Sequence, residues 1–387
     1  MLSLENTENA FANRSDKELK KAHFVFKVLA VSWLNAIGTK LTMIALNLRL
    51  PVKSLIKWTV FDHFCGGETI DGCNPRVKSL YQYKVGTILD YSVEGDQNEK
   101  AYENCLTQLL EGLKLAEKEE AIPFCVVKLT GLIPFDILEK LDAKKKLTEK
   151  QQQAFERGKN RVHQIASAAK TANTPFMIDA EESWIQNTID AIVFDLMLEF
   201  NKEKALIYNT AQMYRHDRLQ YIKDLFAHSE ENKIHIGLKI VRGAYMEKER
   251  ERAKDKGYPS PIQVDKAATD RDYDLALAFC AEHHDTIAIC CGTHNEASSL
   301  LLTELMKQRG ISKENNYFYF AQLLGMSDHI SYNLSKEGYN VAKYVPYGPV
   351  KEVMPYLIRR ANENTSVAGQ TGRELSLIRK ELKRRSL

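Results

Sequence analysis

The sequence has no Cys-x-x-Cys pair. Its cysteines number seven in 387 residues, an odd count. Cys65 and Cys73 are widely spaced, and Cys290 and Cys291 are vicinal inside an apolar run, so neither a metal-ligand spacing nor a disulfide framework emerges. A reducing compartment with inert thiols fits this usage. His283 and His284 read as surface residues near a helix end, and no metal site is expected. An excess of charge of one sign is missing too. With 54 basic and 51 acidic side chains, the net charge of +3 argues against nucleic acid as the main partner. Long hydrophobic runs are absent. The most apolar early stretch, residues 28–39, is flanked by Lys27 and Lys40 and is too short to span a bilayer. It reads as a buried helix, with membrane-surface contact as the weaker alternative. Glu5, Glu8, Asp16 and Glu18 argue against a signal or transit peptide. The expected location is cytoplasmic, with peripheral contact on the inner face of the membrane. The Gly-rich loop at 64–75 lacks the Gly-Lys-Ser/Thr ending of a phosphate-binding loop. No G-x-G-x-x-G follows any strand candidate. The Lys- and Gln-rich insert at 141–174 holds no calcium loop and reads as a solvated helical excursion.

What is present is an ordinary globular composition, 44% hydrophobic and 27% charged, with a change of pattern near residue 85. Residues 1–84 read as a helical arm. Residues 366–387 form a basic tail, in which "RKELKRRS" at 379–386 reads as a frayed, solvated helix end, or as a patch touching anionic lipid. Between them, short apolar runs alternate with amphipathic helical stretches. The runs are "GTILDYSV", "FCVVKLT", "PFMIDA", "ALIYNTAQ", "IHIGLKIVRGAY", "TIAICCGTHN", "NYFYFAQLL" and "YNVAKYVPYG". Near-continuous apolar strands separated by helices indicate parallel pairing with helical crossovers. Eight such units over 85–365 predict an α/β fold, a distorted (β/α)8 TIM-like barrel. In such a barrel the C-terminal strand ends build the active site. Those ends carry Asp90 and Glu94; Lys128; Asp179, Glu181 and Glu182; Asn209 and Gln212; Lys239, Arg242 and Tyr245; Thr293, His294 and Asn295; Gln322; and Lys343, Tyr344 and Tyr347. A single polar strand end is usually a cap. Its recurrence at all eight argues for an enzyme.

Residues 344–364 read "YVPYGPVKEVMPYLIRRANEN". Pro349 suits a helix start and Pro355 is expected to kink the helix or begin a new segment. At 3.6 residues per turn Tyr356, Arg359, Arg360 and Glu363 share one face. The bland reading is a solvated face with an internal Arg–Glu pair. If the helix instead tips over the barrel mouth, two guanidinium forks are well suited to a carboxylate, which suggests a small carboxylic acid as substrate.

This segment resembles the signature of the proline dehydrogenase family. The resemblance extends back through "LKIVRGAY", "THN", "TAQMY", "MIDAEES" and "VVKLTGL", in collinear order over roughly residues 85–365, and the insert with "QLLGMSD" is closer to the monofunctional eukaryotic-type branch. It implies a barrel with its last helix over the mouth, non-covalent FAD, oxidation of L-proline to Δ1-pyrroline-5-carboxylate, and a membrane quinone as electron acceptor. It implies that Arg359, Arg360 and Lys128 bind the carboxylate, that Tyr344, Tyr356 and Leu324 wall the ring, and that Glu363 holds the Arg pair. Asp179 is a family active-site position, expected to tether a Tyr or Arg of the lid. Gln212, Lys239, Val241, Arg242, Gly243, Ala244, Thr293, His294 and Asn295 are the implied cofactor residues, with Thr269 at the adenosine end. Some relatives carry Arg where this chain has Lys239, which keeps the charge and loses the fork. A pyrroline-5-carboxylate dehydrogenase partner is expected on the same ground.

Three other readings stay open at this level. The substrate is hydroxyproline or another cyclic imino acid, against which the bulk of Tyr344 speaks. The barrel is a lyase or aldolase with Lys128 or Lys239 as a Schiff base. Or it is a non-catalytic, membrane-docked barrel.

Overall fold

The computed structural model describes residues 2–29, 53–93, 97–366 and 370–387, without the side chains of 28, 29, 53, 55, 361–366, 370 and 371. Most of the apolar stretch 28–39, and Glu94, lie outside the described residues. Eight strands close a barrel in sequence order. They are β1 (Val85–Tyr91), β2 (Phe124–Lys128), β3 (Phe176–Asp179), β4 (Ile207–Gln212), β5 (Ile236–Val241), β6 (Ile287–Gly292), β7 (Phe318–Leu323) and β8 (Val341–Tyr347). Each matches one of the eight apolar runs, and their ladders are parallel. The (β/α)8 expectation is met.

By contacts the chain divides into two compact units, Met1–Gly95 with Gln322–Leu387, and Asp96–Ala321. In the second unit, alternation along each strand sets two faces. Asn209 reaches Asp190 on the helix Ser183–Phe200, so Asn209 points outward. Its neighbour Thr210 therefore points inward, and the register Thr210↔Lys239↔Cys290 carries that face across β5 and β6. Further down the same face, Tyr208 and Tyr319 meet Phe124 edge-on at 5.5 and 4.8 Å between ring centres. These rings pack the barrel interior.

The insert differs from its reading as a solvated excursion. Thr148 and Gln151 form a capping box at the start of the helix Glu149–Thr171. That helix buries Val162, Ile165, Ala166 and Ala169, an i, i+3, i+4, i+7 stripe masked in the sequence by surrounding Lys and Gln. Arg161 on the same side is buried and donates to Glu103 at 2.8 Å and to the Leu132 carbonyl at 3.1 Å.

In the first unit, β1 and β8 pair from Val85↔Val341 to Tyr91↔Tyr347. The C-terminal helix Gln370–Arg384 packs on the helix Asp16–Leu29. Leu377 and Ile378 join Phe11, Leu19, Ala22 and Phe26 in one apolar cluster. The basic "RKELKRRS" segment is therefore not a frayed end. Glu381 is fully buried and takes Arg384 at 2.8 Å and Arg385 at 2.7 Å. Arg385 also donates to the carbonyls of Arg14 and Phe11. Charge alone suggests a solvated tail, whereas pairing and an apolar stripe dock it.

Truncating Ile378, a fully buried contact of this cluster, tests the docking. Ile378→Ala is expected to cost about 2–5 kcal/mol, read as a lower urea midpoint with an unchanged slope. A midpoint equal to that of the parent protein would mean that the C-terminal helix contributes nothing to the fold.

Candidate active site

Three charges from three strand ends meet on the inner face of the second unit. Lys128, last in β2, donates to Asp179 Oδ2 at 3.2 Å, and Lys239 of β5 donates to Asp179 Oδ1. The strands place them so. Lys128 pairs in register with Asp179, while Lys239 lies two strands further on, on the same face. Burial works against the Asp179 anion, but Lys239 and then Lys128 outweigh it and hold its pKa down at about 2. The carboxylate is thus ionised at any working pH, and the trio carries a net charge of +1. The two lysines and the aspartate expected at a site are brought together. Asp179 is the bridge between the two lysines. An ammonium held by an ionised carboxylate is a poor nucleophile, which argues against the Schiff-base reading.

Two residues beyond Asp179 the chemistry reverses. Glu181 is buried, and its pKa is pushed up to about 7 by that burial, with hydrogen bonds from Thr130 pulling the other way. The Thr130 amide donates to Oε1 at 3.1 Å and its hydroxyl to Oε2 at 2.5 Å. Thr130 sits in the tight turn Leu129–Gly131 directly after Lys128, so Glu181 holds that turn. Gln212 continues the chain of contacts. Its Nε2 donates to the Glu181 carbonyl at 2.7 Å, and its Oε1 accepts from the Ala244 amide at 3.3 Å. The loop it holds needs a glycine, because Gly243 has φ +132° and a Cβ there would lie 2.5 Å from the Tyr214 ring.

A donor cluster follows at the ends of β5 and β6. Arg242 donates to Asp270 at 2.7 Å, Thr293 Oγ at 2.8 Å and Ser298 Oγ at 3.0 Å, over the face of Tyr273. Asn295 caps the helix Glu296–Gln308, accepting from the Ser298 amide, while its own amide donates to Thr293 Oγ. His294 stands between them, half-buried. Thr269 is buried in the first turn of the helix Lys266–Glu282 and donates to the Asp265 carbonyl. Val241 ends β5 on the inner face. A cation on the inner face, a guanidinium fork, hydroxyls, exposed backbone at 243–244 and a helix N-terminus suit an elongated anionic cofactor such as a dinucleotide.

The first unit holds the other group. Leu324 and Tyr344 are both buried, and the Leu324 amide donates to the Tyr344 carbonyl at 2.9 Å. The helix Val350–Ser366 runs unbroken through Pro355, so no new segment begins there. Val353, Met354, Tyr356 and Leu357 are buried in a cluster with Phe61, Phe64 and Met326. The Arg360 guanidinium lies 5.3 Å from the Tyr356 ring centre, the i, i+4 stacking expected of that face. Arg360 is buried and Arg359 half-buried, which sets aside a fully solvated face. The side chain of Glu363 lies outside the described residues. Lys343 is on the opposite face of β8 from Tyr344 and bonds Asp328 on the helix Asp328–Lys336. Named by the sequence as a strand-end polar residue, it points outward.

Two site residues have roles that sequence reading did not assign. Glu181 stood in the acidic run "DAEE" without a role, and Thr130 was passed over. The available signal was position. An acid two residues beyond a strand end and a Thr-Gly turn beyond the adjacent strand end fall at matched heights.

Because the folded pKa of Glu181 is raised from 4.5 to about 7, the native state binds more protons than the unfolded chain between those values. The stabilisation is fully present below pH 4.5 and lost as pH rises through 7, amounting to roughly 3 kcal/mol. Glu181→Gln keeps the acceptor for the Thr130 amide. It is expected to flatten that decline between pH 5 and 8 in urea titrations, and an undiminished decline would remove Glu181 as its source.

With this geometry in view, the relatives of the chain become informative. The proline dehydrogenase family model matches residues 73–373. Proline dehydrogenase 1, mitochondrial, of Dictyostelium discoideum is 31% identical over 98% of this chain and 74% of its own length. The hydroxyproline dehydrogenase of Xenopus laevis is 30% identical over 97% of this chain and 88% of its own. Among solved structures, proline utilization A from Bdellovibrio bacteriovorus, inactivated by N-propargylglycine, superposes with a TM-score of 0.74 at 21% identity. That match covers 93% of this chain but 38% of the other, and it speaks for the shared barrel. The chain is an oxidoreductase and belongs to the proline dehydrogenase family.

Proposed function

We propose that the chain oxidises L-proline to Δ1-pyrroline-5-carboxylate, with FAD as cofactor and a membrane quinone as final electron acceptor. The observation that carries the reading is the Lys128–Asp179–Lys239 bridge, in which Lys128 and Asp179 end β2 and β3 and Lys239 stands two residues before the end of β5, in a chain whose family is flavin-dependent. When bound, the flavin supplies a two-electron acceptor. Lys239, Gln212, Arg242, Thr293, His294 and Asn295, with the 241–244 backbone and Thr269, are the residues that would hold it.

In this reading Arg359 and Arg360 grip the proline carboxylate, with Lys128 as a further cation and Asp179 keeping Lys128 and Lys239 in place. Tyr344, Tyr356 and Leu324 wall the ring. Loss of hydride from a ring carbon requires a neutral amine. The cations assigned to the site disfavour an ammonium by like-charge repulsion, and the single Asp179 carboxylate offsets only part of that. Turnover at saturating proline therefore rises with pH as the bound amine loses its proton. The product is consumed by a separate pyrroline-5-carboxylate dehydrogenase. The location we propose is cytoplasmic, at the inner membrane face where a quinone is within reach.

An anaerobic absorbance spectrum of the FAD-loaded protein tests the reading. L-proline is expected to bleach the flavin bands, and trans-4-hydroxyproline to bleach them far more slowly. A spectrum unmoved by proline sinks the proposal. Faster bleaching by hydroxyproline transfers it to the substrate named for the Xenopus relative. Arg359→Met and Arg360→Met are each expected to cost about 2–5 kcal/mol of proline binding, a rise in KM of well over tenfold. Wild-type KM values in both would remove the carboxylate assignment.

A further inference from the structure

Lys343 is a lysine with no exposed surface, which is rare unless every charge and donor is matched. Here they are. Its ammonium has three acceptors in the described structure, Met326 O at 2.5 Å, Asp328 Oδ1 at 2.9 Å and Leu323 O at 3.4 Å. Three donors meet three acceptors. All of them belong to one stretch, residues 323–328, which links β7 to the helix Asp328–Lys336.

That stretch has a shape its sequence does not favour. Gly325 has φ +78°, and Ser327 has φ +52°, a left-handed conformation that costs a non-glycine residue roughly 1 kcal/mol or more. The contacts around it impose the shape. His63 Nε2 donates to the Gly325 carbonyl at 3.0 Å. The Glu374 carboxylate, on the C-terminal helix, accepts from the Ser327 amide. Arg14, in the N-terminal arm, puts two donors on Asp328 Oδ2 at 3.1 and 2.7 Å. Burial works against the Asp328 anion, yet Lys343 and Arg14 keep it ionised, far below the usual carboxylate range. His63 stays neutral, its pKa lowered to about 3 by burial and by Arg14. Asp328 and His63 therefore keep their charge states across neutral pH, while burial lowers the pKa of Lys343 and raises that of Glu374.

The stretch carries Leu324, whose amide bonds the carbonyl of Tyr344, the residue next to Lys343. One strand thus grips the loop twice, through its backbone at the leucine and through its lysine on both flanks. We propose that Lys343 is a positioning residue for substrate recognition: by collecting the Leu323, Met326 and Asp328 acceptors it fixes Leu324 beside Tyr344, and so sets the ring that the site admits. The inference rests on the proposed function, in which Leu324 and Tyr344 wall the proline ring. Arg14 and Glu374 make both chain ends part of the same support.

The test uses the full chain loaded with FAD. Lys343→Met keeps the stem and removes the donors. Arg14→Gln cuts the arm from Asp328 without altering the buried lysine. Lys343→Met is expected to raise KM for L-proline about tenfold or more with kcat within about twofold. It is also expected to raise the kcat/KM ratio of trans-4-hydroxyproline to proline at least fivefold, with Arg14→Gln moving both in the same direction by less. Hydrogen exchange at the Leu324 amide should quicken at least tenfold in Lys343→Met. Unchanged KM, ratio and exchange in folded, flavin-loaded variants overturn the proposal. So does a loss of kcat and melting temperature with the ratio intact, which marks a merely structural lysine. If Lys343→Met fails to fold, Arg14→Gln is decisive on the same readouts. A wild-type protein that ignores proline defeats the functional reading and, with it, the role of Lys343 in recognition, but leaves the anchoring of the loop to be tested. The exchange rate then decides alone whether the lysine fixes the loop.

Discussion

Closure of a parallel barrel commits every strand residue to one of two faces, and the chemistry of this molecule follows from that division. Lys239 and Lys343 look alike in sequence, each a lone lysine in an apolar strand. Register sends Lys239 inward, across Thr210, to Asp179. It sends Lys343 outward to Asp328 on the surrounding helix layer. A shift of one residue in either strand would exchange their faces. The large apolar side chains that fill both faces forbid that shift, so packing of the core decides which lysine belongs to the site.

Once inside, charge has to be matched. Asp179 satisfies two lysines at once, and each lysine is oriented by the same carboxylate. Such pairs add little net stability, because desolvation cancels most of their attraction, but removing one partner leaves an uncompensated charge. Their value here is geometric. Glu181, two residues on, has hydroxyl and amide donors from Thr130 and no such bridge, so its pKa moves up while that of Asp179 moves down. Two carboxylates on one strand end thus hold opposite protonation tendencies near neutral pH, and environment alone separates them.

The strands were legible because each is a short apolar run, and the polar strand ends were legible because a barrel collects them at one mouth. The facing of each residue was not, since an apolar run buried on both sides carries no alternation to set its phase. That is why Lys343 read as a strand-end residue like Lys239. The insert and the basic tail misled for a related reason. Val162, Ile165 and Ala169, and Leu377 and Ile378, are few and spaced by the helix period, while the Lys, Gln and Arg between them dominate the composition. Family resemblance pointed to the lysines, Asp179 and Arg242. It named Gln212 for the cofactor but not its hydrogen bonds to Glu181 and Ala244, and it gave Thr130 no role, because both act through contacts between segments far apart in sequence.

The chain ends follow the same logic. An open loop between a strand and a helix is ordinarily free to move, and residues 323–328 carry a strained conformation as well. Such a loop stays fixed only if its backbone groups are held from outside. The barrel offers one strand for this, and one ammonium on it reaches three acceptors. The remaining groups of the loop, at Gly325, Ser327 and the second oxygen of Asp328, are met by His63, Glu374 and Arg14, which come from the terminal segments. Those segments in turn are joined by the Phe11–Leu19–Ile378 cluster and the buried Glu381. The arm and the C-terminal helix thus frame one barrel loop, meeting its polar groups at Gly325, Ser327 and Asp328.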